Sequence, residues 1–167
     1  MNSKKLFIYN LLRLFLPSTK FFNIKSSLLR WCGAKVGHNV RIVSSVKFQL
    51  SGPLEIGDNT WIGHDVLIVG GNSKISIGSN CDIAPRVLFV SGSHKLNKVN
   101  DNKIAGEGYS EEIMIGDGCW VCAGVSVLGG SNIGKNSIIA AGSVCRGSVR
   151  DGALYGGVPI KLIRLLD

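Results

Sequence analysis

His94 closes the polar stretch Ser91-Gly92-Ser93-His94, and a second polar stretch, Gly106-Glu107-Gly108-Tyr109-Ser110-Glu111-Glu112, follows it. A neutral imidazole titrates close to neutrality. It can take the proton of a hydroxyl as that oxygen attacks, an assistance worth about 10²–10⁴ in rate. The chain has two other histidines. His64 follows Ile62-Gly63 at an outward position, where it lines a cleft or is simply solvated; His38, in Val36-Gly37-His38-Asn39, reads as a turn residue. The five cysteines include one closely spaced pair, Cys119-Trp120-Val121-Cys122. A thiolate metal site or redox centre needs more than that, and no second pair exists, so these read as wall cysteines. An odd cysteine count without a secretory leader is read as reduced thiols in the cytoplasm.

What positions these side chains is a six-residue beat. Apolar residues fall at Val36, Ile42 and Phe48, at Ile56, Ile62 and Ile68, at Ile77, Ile83 and Phe89, and at Ile115, Val121, Val127, Ile133, Ile139 and Cys145. Period six matches neither a helix nor a simple alternating strand; it predicts a triangular coil with one short strand on each side. Turns such as Ile56-Gly57-Asp58-Asn59 and Ile133-Gly134-Lys135-Asn136 supply residues that tolerate left-handed backbone. Four residues after the inward position stands a small one (Val40, Thr60, Cys81, Cys119 and Ser137 among them), suited to the corner of a narrow prism. The beat breaks between Phe89 and Ile115, so residues 92–112 are expected to leave the coil as a loop, and loops of that length are usually functional. The predicted organisation is a helical segment over 1–34, the coil over 35–156 and a tail over 157–167.

The charge is lopsided. Nine Lys and Arg and no acid occur in residues 1–54, against a net charge of +8 for the whole chain. Apolar runs interrupt these cations, which favours an anionic membrane surface over nucleic acid. Ser3 is expected to cap a helix running to about Leu16. Phe7, Ile8, Leu11, Leu12, Leu14 and Phe15 share one arc of it; Lys4, Lys5, Tyr9, Asn10 and Arg13 share the other. A second helix is expected from Phe22 to about Trp31, with Gly33 as its C-cap. The segment 1–32 packs on the coil or a neighbouring subunit, or lies on the inner membrane face.

Three motifs carry a family resemblance. They are Gly106-Glu107-x-Tyr109-Ser110 leading into Ile115-Gly116-Asp117-Gly118-Cys119-Trp120, then Ala141-Gly142-Ser143, then Gly157-Val158-Pro159-x-Lys161-x-Ile163-Arg164. From Val36 to Arg164 the chain resembles the hexapeptide-repeat acyltransferases. It is most similar to their galactoside, maltose and xenobiotic O-acetyltransferase branch and to relatives that decorate surface polysaccharides. The resemblance implies an all-β fold, a left-handed parallel β-helix with N-terminal helices, one extruded loop and a short C-terminal helix, assembled as a homotrimer. It implies acetyl-CoA as co-substrate, no metal, and His94 as general base. A backbone carbonyl, Glu107, Glu111 or Glu112 would orient that base. Trp120, Ala123, Gly124, Ala141 and Gly142 match positions along the thioester and pantetheine arm, with the N–H of Ala123 or Gly124 as oxyanion donor. Lys161 and Arg164 match a basic tail that meets the nucleotide phosphates, and Arg146 stands where the family often carries a Thr-Lys pair. His64, Asp65, Glu107 and Tyr109 are the acceptor-side candidates. Two departures stand out: Gly63 replaces an acceptor-holding asparagine, and Ser93 is one residue extra before His94. The implied activity is acetyl transfer to a sugar hydroxyl in surface-polysaccharide synthesis. The alternatives are a small soluble acceptor (a free sugar, a xenobiotic or serine) and a trimeric scaffold without activity. A zinc enzyme of the β-helix carbonic anhydrase class commonly has two of its three histidines five residues apart, and His38, His64 and His94 are not so spaced.

Overall fold

The computed structural model describes residues 1–100 and 103–166; positions 101 and 102 of the 92–112 loop and Asp167 of the 157–167 tail lie outside the described residues. Three parallel sheets form the sides of a prism. Sheet A stacks Lys35–Val36, Leu54–Ile56, Ile75–Ile77, Ile113–Ile115, Asn132–Ile133 and Ser148–Val149. Sheet B stacks Arg41–Ile42, Trp61–Ile62, Asp82–Ile83, Trp120–Val121, Ile138–Ile139 and Ala153–Gly156. Sheet C stacks Lys47–Leu50, Leu67–Gly70, Leu88–Val90, Ser126–Leu128 and Val144–Cys145. Every apolar residue of the six-residue beat is buried, none more than 9% exposed. The beat holds because each side contributes one inward residue per coil and each corner keeps the phase.

The corners explain the second, smaller set of residues. Between sheets A and B, Thr60 Oγ1 donates to the Gly78 carbonyl (2.8 Å), Cys81 Sγ to Gly116 (3.1 Å), Cys119 Sγ to Gly134 (3.0 Å) and Ser137 Oγ to Arg150 (2.7 Å). Each small donor ties its corner to the next coil. The neighbouring Cys119 side chain, and after it burial, hold the Cys81 thiol well above its ordinary range. This is structural use of sulfur, as the spacing of the cysteines predicts. Just outside, Asn39, Asn59, Asn80 and Asn136 hold the left-handed backbone expected of this turn.

Backbone hydrogen bonds tie each coil to the next in both directions. Arg41 N–H donates to the Thr60 carbonyl, Trp61 to Cys81, Asp82 to Cys119 and Trp120 to Ser137. At the corners the bonds run back, from Asn59 N–H to the His38 carbonyl and from Asn80 N–H to that of Asp58. The first coil is left with carbonyls that no earlier coil can pair, and the N-terminal helices supply the donors. Arg30 Nε and Nη2 donate to the carbonyls of Val36 and Gly37 (2.8 and 2.6 Å), and Ser26 Oγ to Val40 (3.1 Å). Arg13 Nη1 donates to Ser44 (2.7 Å) and Asn10 Nδ2 to Phe48 (2.8 Å).

That requirement corrects the reading of the first helix. Helix α1 spans Ser3–Leu12, is capped by Asn2 rather than Ser3, and passes into a 3₁₀ turn at Arg13–Phe15. Its polar arc faces the coil, except for Lys4, which lies exposed on the outward side with Phe7 and Ile8: Tyr9 packs edge-on against Phe48 at 5.6 Å, beside Asn10 and Arg13. Leu6, Tyr9 and Arg13 are buried, whereas Phe7, Ile8, Leu11, Leu12, Leu14 and Phe15 are all exposed. Unpaired carbonyls outweigh apolar burial here because a buried acceptor without a donor costs about 1–3 kcal/mol. Helix α2 spans Phe22–Trp31, and Gly33, with φ of +98°, follows it as expected. Lys25 of this helix is fully buried. It donates to the carbonyls of Pro17 (3.2 Å) and Ser18 (2.8 Å), and burial lowers its pKa.

The other end of the prism corrects the expected C-terminal helix. Lys161–Leu165 is a strand, antiparallel to Ala153–Gly156, with Leu154 opposite Arg164 and Gly156 opposite Lys161. A helix this short has little stability of its own, whereas the last strand of sheet B offers an open edge to pair with. The 92–112 segment is also more ordered than a plain loop: Gly92–Asn100 and Lys103–Ser110 form an antiparallel hairpin.

Arg13→Met keeps the buried stem of the side chain but removes every donor. It is expected to lower stability by about 1–3 kcal/mol, read as a shift in the urea midpoint at unchanged slope. Arg13→Lys, which restores one donor, is expected to lose less. Equal melts for wild type and Arg13→Met would show that the first-coil carbonyls do not need this cap.

Candidate active site

The hairpin leaves the prism at the corner between sheets C and A, and its root is tied down on both sides. Glu111 N–H donates to the Ser91 carbonyl (2.9 Å), and Ser110 Oγ meets Ser73 Oγ (2.8 Å) and accepts from Ser73 N–H (3.2 Å). His94, three residues out, pairs across the hairpin with Gly108. Its Nδ1 lies 2.9 Å from the Gly106 carbonyl. A carbonyl only accepts, so Nδ1 carries the proton and Nε2 keeps its lone pair. The orienting group is thus a backbone carbonyl. The three acids weighed for this role do something else: Glu107 pairs with Lys95 (2.6 Å), Glu111 with Arg146 (3.0 Å), and Glu112 is exposed.

A shallow cleft of about 410 Å³ surrounds the imidazole, lined by Gly71, Asn72, Gly92, Ser93, Gly108, Tyr109 and Ser110 as well as His94. Ser93, the extra residue, stands in its wall. Gly71 and Asn72 come from the preceding coil and escaped the reading of the sequence. Their signal was present in the spacing, since nine residues separate Ile68 from Ile77 where six separate Val127 from Ile133. The longer corner makes a shelf under the hairpin.

The remaining candidates form a second group elsewhere. Ala123 and Gly124, and Ala141 and Gly142 one coil later, stack at the corner between sheets B and C; the Gly142 N–H donates to the Ala123 carbonyl (3.0 Å). Gly124 and Gly142 have φ of +70° and +69°, and a Cβ on either would meet nothing within 4 Å. The same corner position in the two earlier coils carries Asp65 (φ +56°) and Arg86 (φ +59°). The left-handed backbone favours glycine at 124 and 142, although Asp65 and Arg86 adopt it in the earlier coils, and the packing leaves room for a side chain. The effect of glycine is a bare, flat wall on the later coils. Trp120, half-exposed, begins an outward row of sheet B that continues through Ile138 and Leu154 to Arg164. Lys161 and Arg164 are both exposed on the last strand. A narrow bare wall flanked by an indole and cations suits a thin amphiphilic arm ending in phosphates. One candidate falls away: the Gly124 N–H already donates to the Pro85 carbonyl (3.0 Å), which leaves Ala123 as the candidate oxyanion donor. Arg86, the cation in the coil just before Gly124, borders this wall and went unremarked in the sequence.

A single chain does not bring the two groups together. Gly124 and Gly129 lie at opposite ends of a sheet C strand, about 16 Å apart at extended rise, and the hairpin root packs on Gly129. Arg146 belongs to the hairpin side, where the Tyr109 hydroxyl and then the charge of Glu111 raise its pKa. The four acceptor-side candidates also divide. Glu107 and Tyr109 are on the hairpin, whereas His64 and Asp65 are exposed at the sheet B–C corner of the second coil. Gly63 beside them has no room for a side chain, since a Cβ there would lie 2.8 Å from the Ile83 carbonyl. His38 is a corner residue whose N–H donates to Asp58 Oδ1 (2.7 Å). Among the described residues, no three His, Cys, Asp or Glu side chains converge as metal ligands.

This geometry has relatives. Residues 112–147 match the family model described as bacterial transferase hexapeptide (six repeats). Galactoside O-acetyltransferase of Escherichia coli (strain K12) is 33% identical over 86% of this chain and 69% of its own length. WcaF of the same organism, provisionally named a colanic acid biosynthesis acetyltransferase, is 32% identical over 84% of this chain and 74% of its own length. A hexapeptide-repeat acetyltransferase of Vibrio cholerae O1 biovar eltor, solved with acetyl coenzyme A, superposes with a TM-score of 0.81. It is 25% identical, over 99% of this chain and 87% of that one. The coil is left-handed, as in such neighbours, against the usual crossover preference. By fold, by motif and by similarity along most of its length, the chain belongs to the hexapeptide-repeat acetyltransferases.

Proposed function

We propose that this protein is an acetyl-CoA-dependent O-acetyltransferase of the cytoplasm that acetylates a sugar hydroxyl of a surface polysaccharide or its precursor, with His94 as general base. The observation that carries the reading is the Nδ1 bond to the Gly106 carbonyl. It leaves an unencumbered Nε2 in an open polar cleft, as proton abstraction from a hydroxyl requires. The polar lining of that cleft suits a saccharide, and the similarity to a galactoside and a provisional colanic acid acetyltransferase supports the same class.

Acetyl-CoA, when bound, supplies the acyl thioester. Nε2 of His94 accepts the acceptor's proton as its oxygen bonds to the acyl carbon, the carbon–sulfur bond breaks, and the proton ends on the departing thiol. The Ala123 N–H is held by the coil, so it can stabilise negative charge on the carbonyl oxygen without reorganising. Ala141 and Gly142 keep the wall clear, and Lys161 and Arg164 meet the phosphates. Because one chain separates His94 from this wall, the working site is built between subunits of a homotrimer, the base from one and the wall from its neighbour.

Thiol release from acetyl-CoA, followed against a panel of saccharides, tests the reading. His94→Ala is expected to lose about 10²–10⁴ in acceptor-dependent rate at unchanged stability; equal rates would remove His94 from the mechanism. Ala141→Leu places bulk on the bare wall and is expected to raise KM for acetyl-CoA tenfold or more, while the KM for saccharide stays within about twofold. The mass in solution is expected to be three chains. A catalytically active monomer would contradict the shared site.

A further inference from the structure

We propose that the outward arc of α1 and its 3₁₀ turn, formed by Phe7, Ile8, Leu11, Leu12, Leu14 and Phe15, docks the first-coil end of the protein on the surface of an anionic lipid bilayer. Isolated exposed apolar residues are ordinary, but a continuous arc of six is not. Phe7 is 72% exposed, Leu14 64% and Phe15 80%. Packing cannot turn this arc inward, because the opposite arc is occupied by the donors that the first coil requires.

Charge selects the occupant. Lys4 stands one turn before Phe7 and Ile8 on the same helical face, Lys20 follows the 3₁₀ turn, and Lys47 shares a groove with Leu14. All three are exposed, and the single acid lining that groove is Asp65. A second copy on a two-fold axis would set this patch against itself, bringing cation to cation with no acid in residues 1–54 to answer them. An anionic bilayer complements both the charge and the apolar arc. Among the described residues no helix is long and apolar enough to cross a membrane, so the contact lies in the plane of the surface, with Phe7 and Phe15 at headgroup depth. The proposal goes beyond acetyl transfer and does not depend on it.

Flotation of the full-length protein with vesicles tests it. One set is phosphatidylcholine alone; the other carries roughly one-third phosphatidylglycerol. The protein is expected to float with the anionic set only, and about 0.5 M salt is expected to release it several-fold. The double variant Phe7→Ser/Phe15→Ser is expected to bind at least tenfold more weakly at an unchanged urea midpoint, and Lys4→Glu/Lys20→Glu several-fold more weakly. The proposal is overturned if the wild type stays with the unbound fraction, or if the serine variant floats like the wild type. It is also overturned if neither protein binds and the serine variant has a lower mass in solution, which would make the arc a contact between copies. The readout is binding alone, so any of these outcomes leaves the reading of His94 intact.

Discussion

A stack of parallel coils leaves backbone groups unpaired at its two ends, and that constraint governs most of this molecule. Each coil bonds to the one before it and the one after, so the first coil is left with carbonyls that no earlier coil can pair and the last with an open edge. The two ends need different caps. The start needs donors, which the long side chains of Arg13 and Arg30 and the shorter Asn10 and Ser26 provide from two helices. The end is paired by a further strand, Lys161–Leu165. The basic N-terminus is thus partly structural: Arg13, Lys25 and Arg30 spend their donors on backbone carbonyls, and the charge left at the surface is smaller than composition suggests.

The same axial order fixes where chemistry can occur. Within a regular coil the inward residues are spent on the core and the corner residues on binding the next coil. Functional freedom remains where the corner is longer than the repeat needs or its side chain smaller. The sheet C–A corner is the longer one: the Gly71-Asn72 shelf and the hairpin above it stack there, and the hairpin holds His94 against a carbonyl. The sheet B–C corner has the smaller side chains, with Gly124 and Gly142 following Arg86 and Asp65 of earlier coils. One corner positions the proposed base, and the other clears a wall.

Most of this plan was legible in the residues because period six, left-handed turn residues and small corner residues are local signals. His94 at the break was legible too, since a break in a strict repeat is conspicuous. What escaped was long-range. The α1 wheel sorts Tyr9, Asn10 and Arg13 as the solvent side, and nothing within residues 3–15 announces that the Ser44 and Phe48 carbonyls need them. Lys161–Leu165 is too short for its own pattern to decide between helix and strand, and the free edge of Ala153–Gly156 decides it. The orienter of His94 stayed open between a backbone carbonyl and three acids, because a carbonyl has no side chain to mark it; the fold puts the Gly106 carbonyl there and leaves each acid paired or exposed.

The separation of the two corners also bears on which part of the protein sets selectivity. The bare wall lies on the later coils, where Trp120, Ala123 and Ala141 match family positions, and in the proposed reaction it would serve the donor, whose structure is constant. The cleft around His94 is built from the hairpin and from a corner lengthened in this chain, and it includes Ser93 and Asn72. Gly63, with the Ile83 carbonyl against it, has no room for the acceptor-holding asparagine that the family resemblance would place there. In the proposed reaction acceptor contacts would then come from groups that do have room, and Asn72, Ser93, Tyr109 and Ser110 are the polar side chains lining the cleft with His94. An acceptor held mainly by the hairpin side is gripped near its reacting hydroxyl and left open beyond it, a geometry that admits a sugar unit still attached to a longer chain.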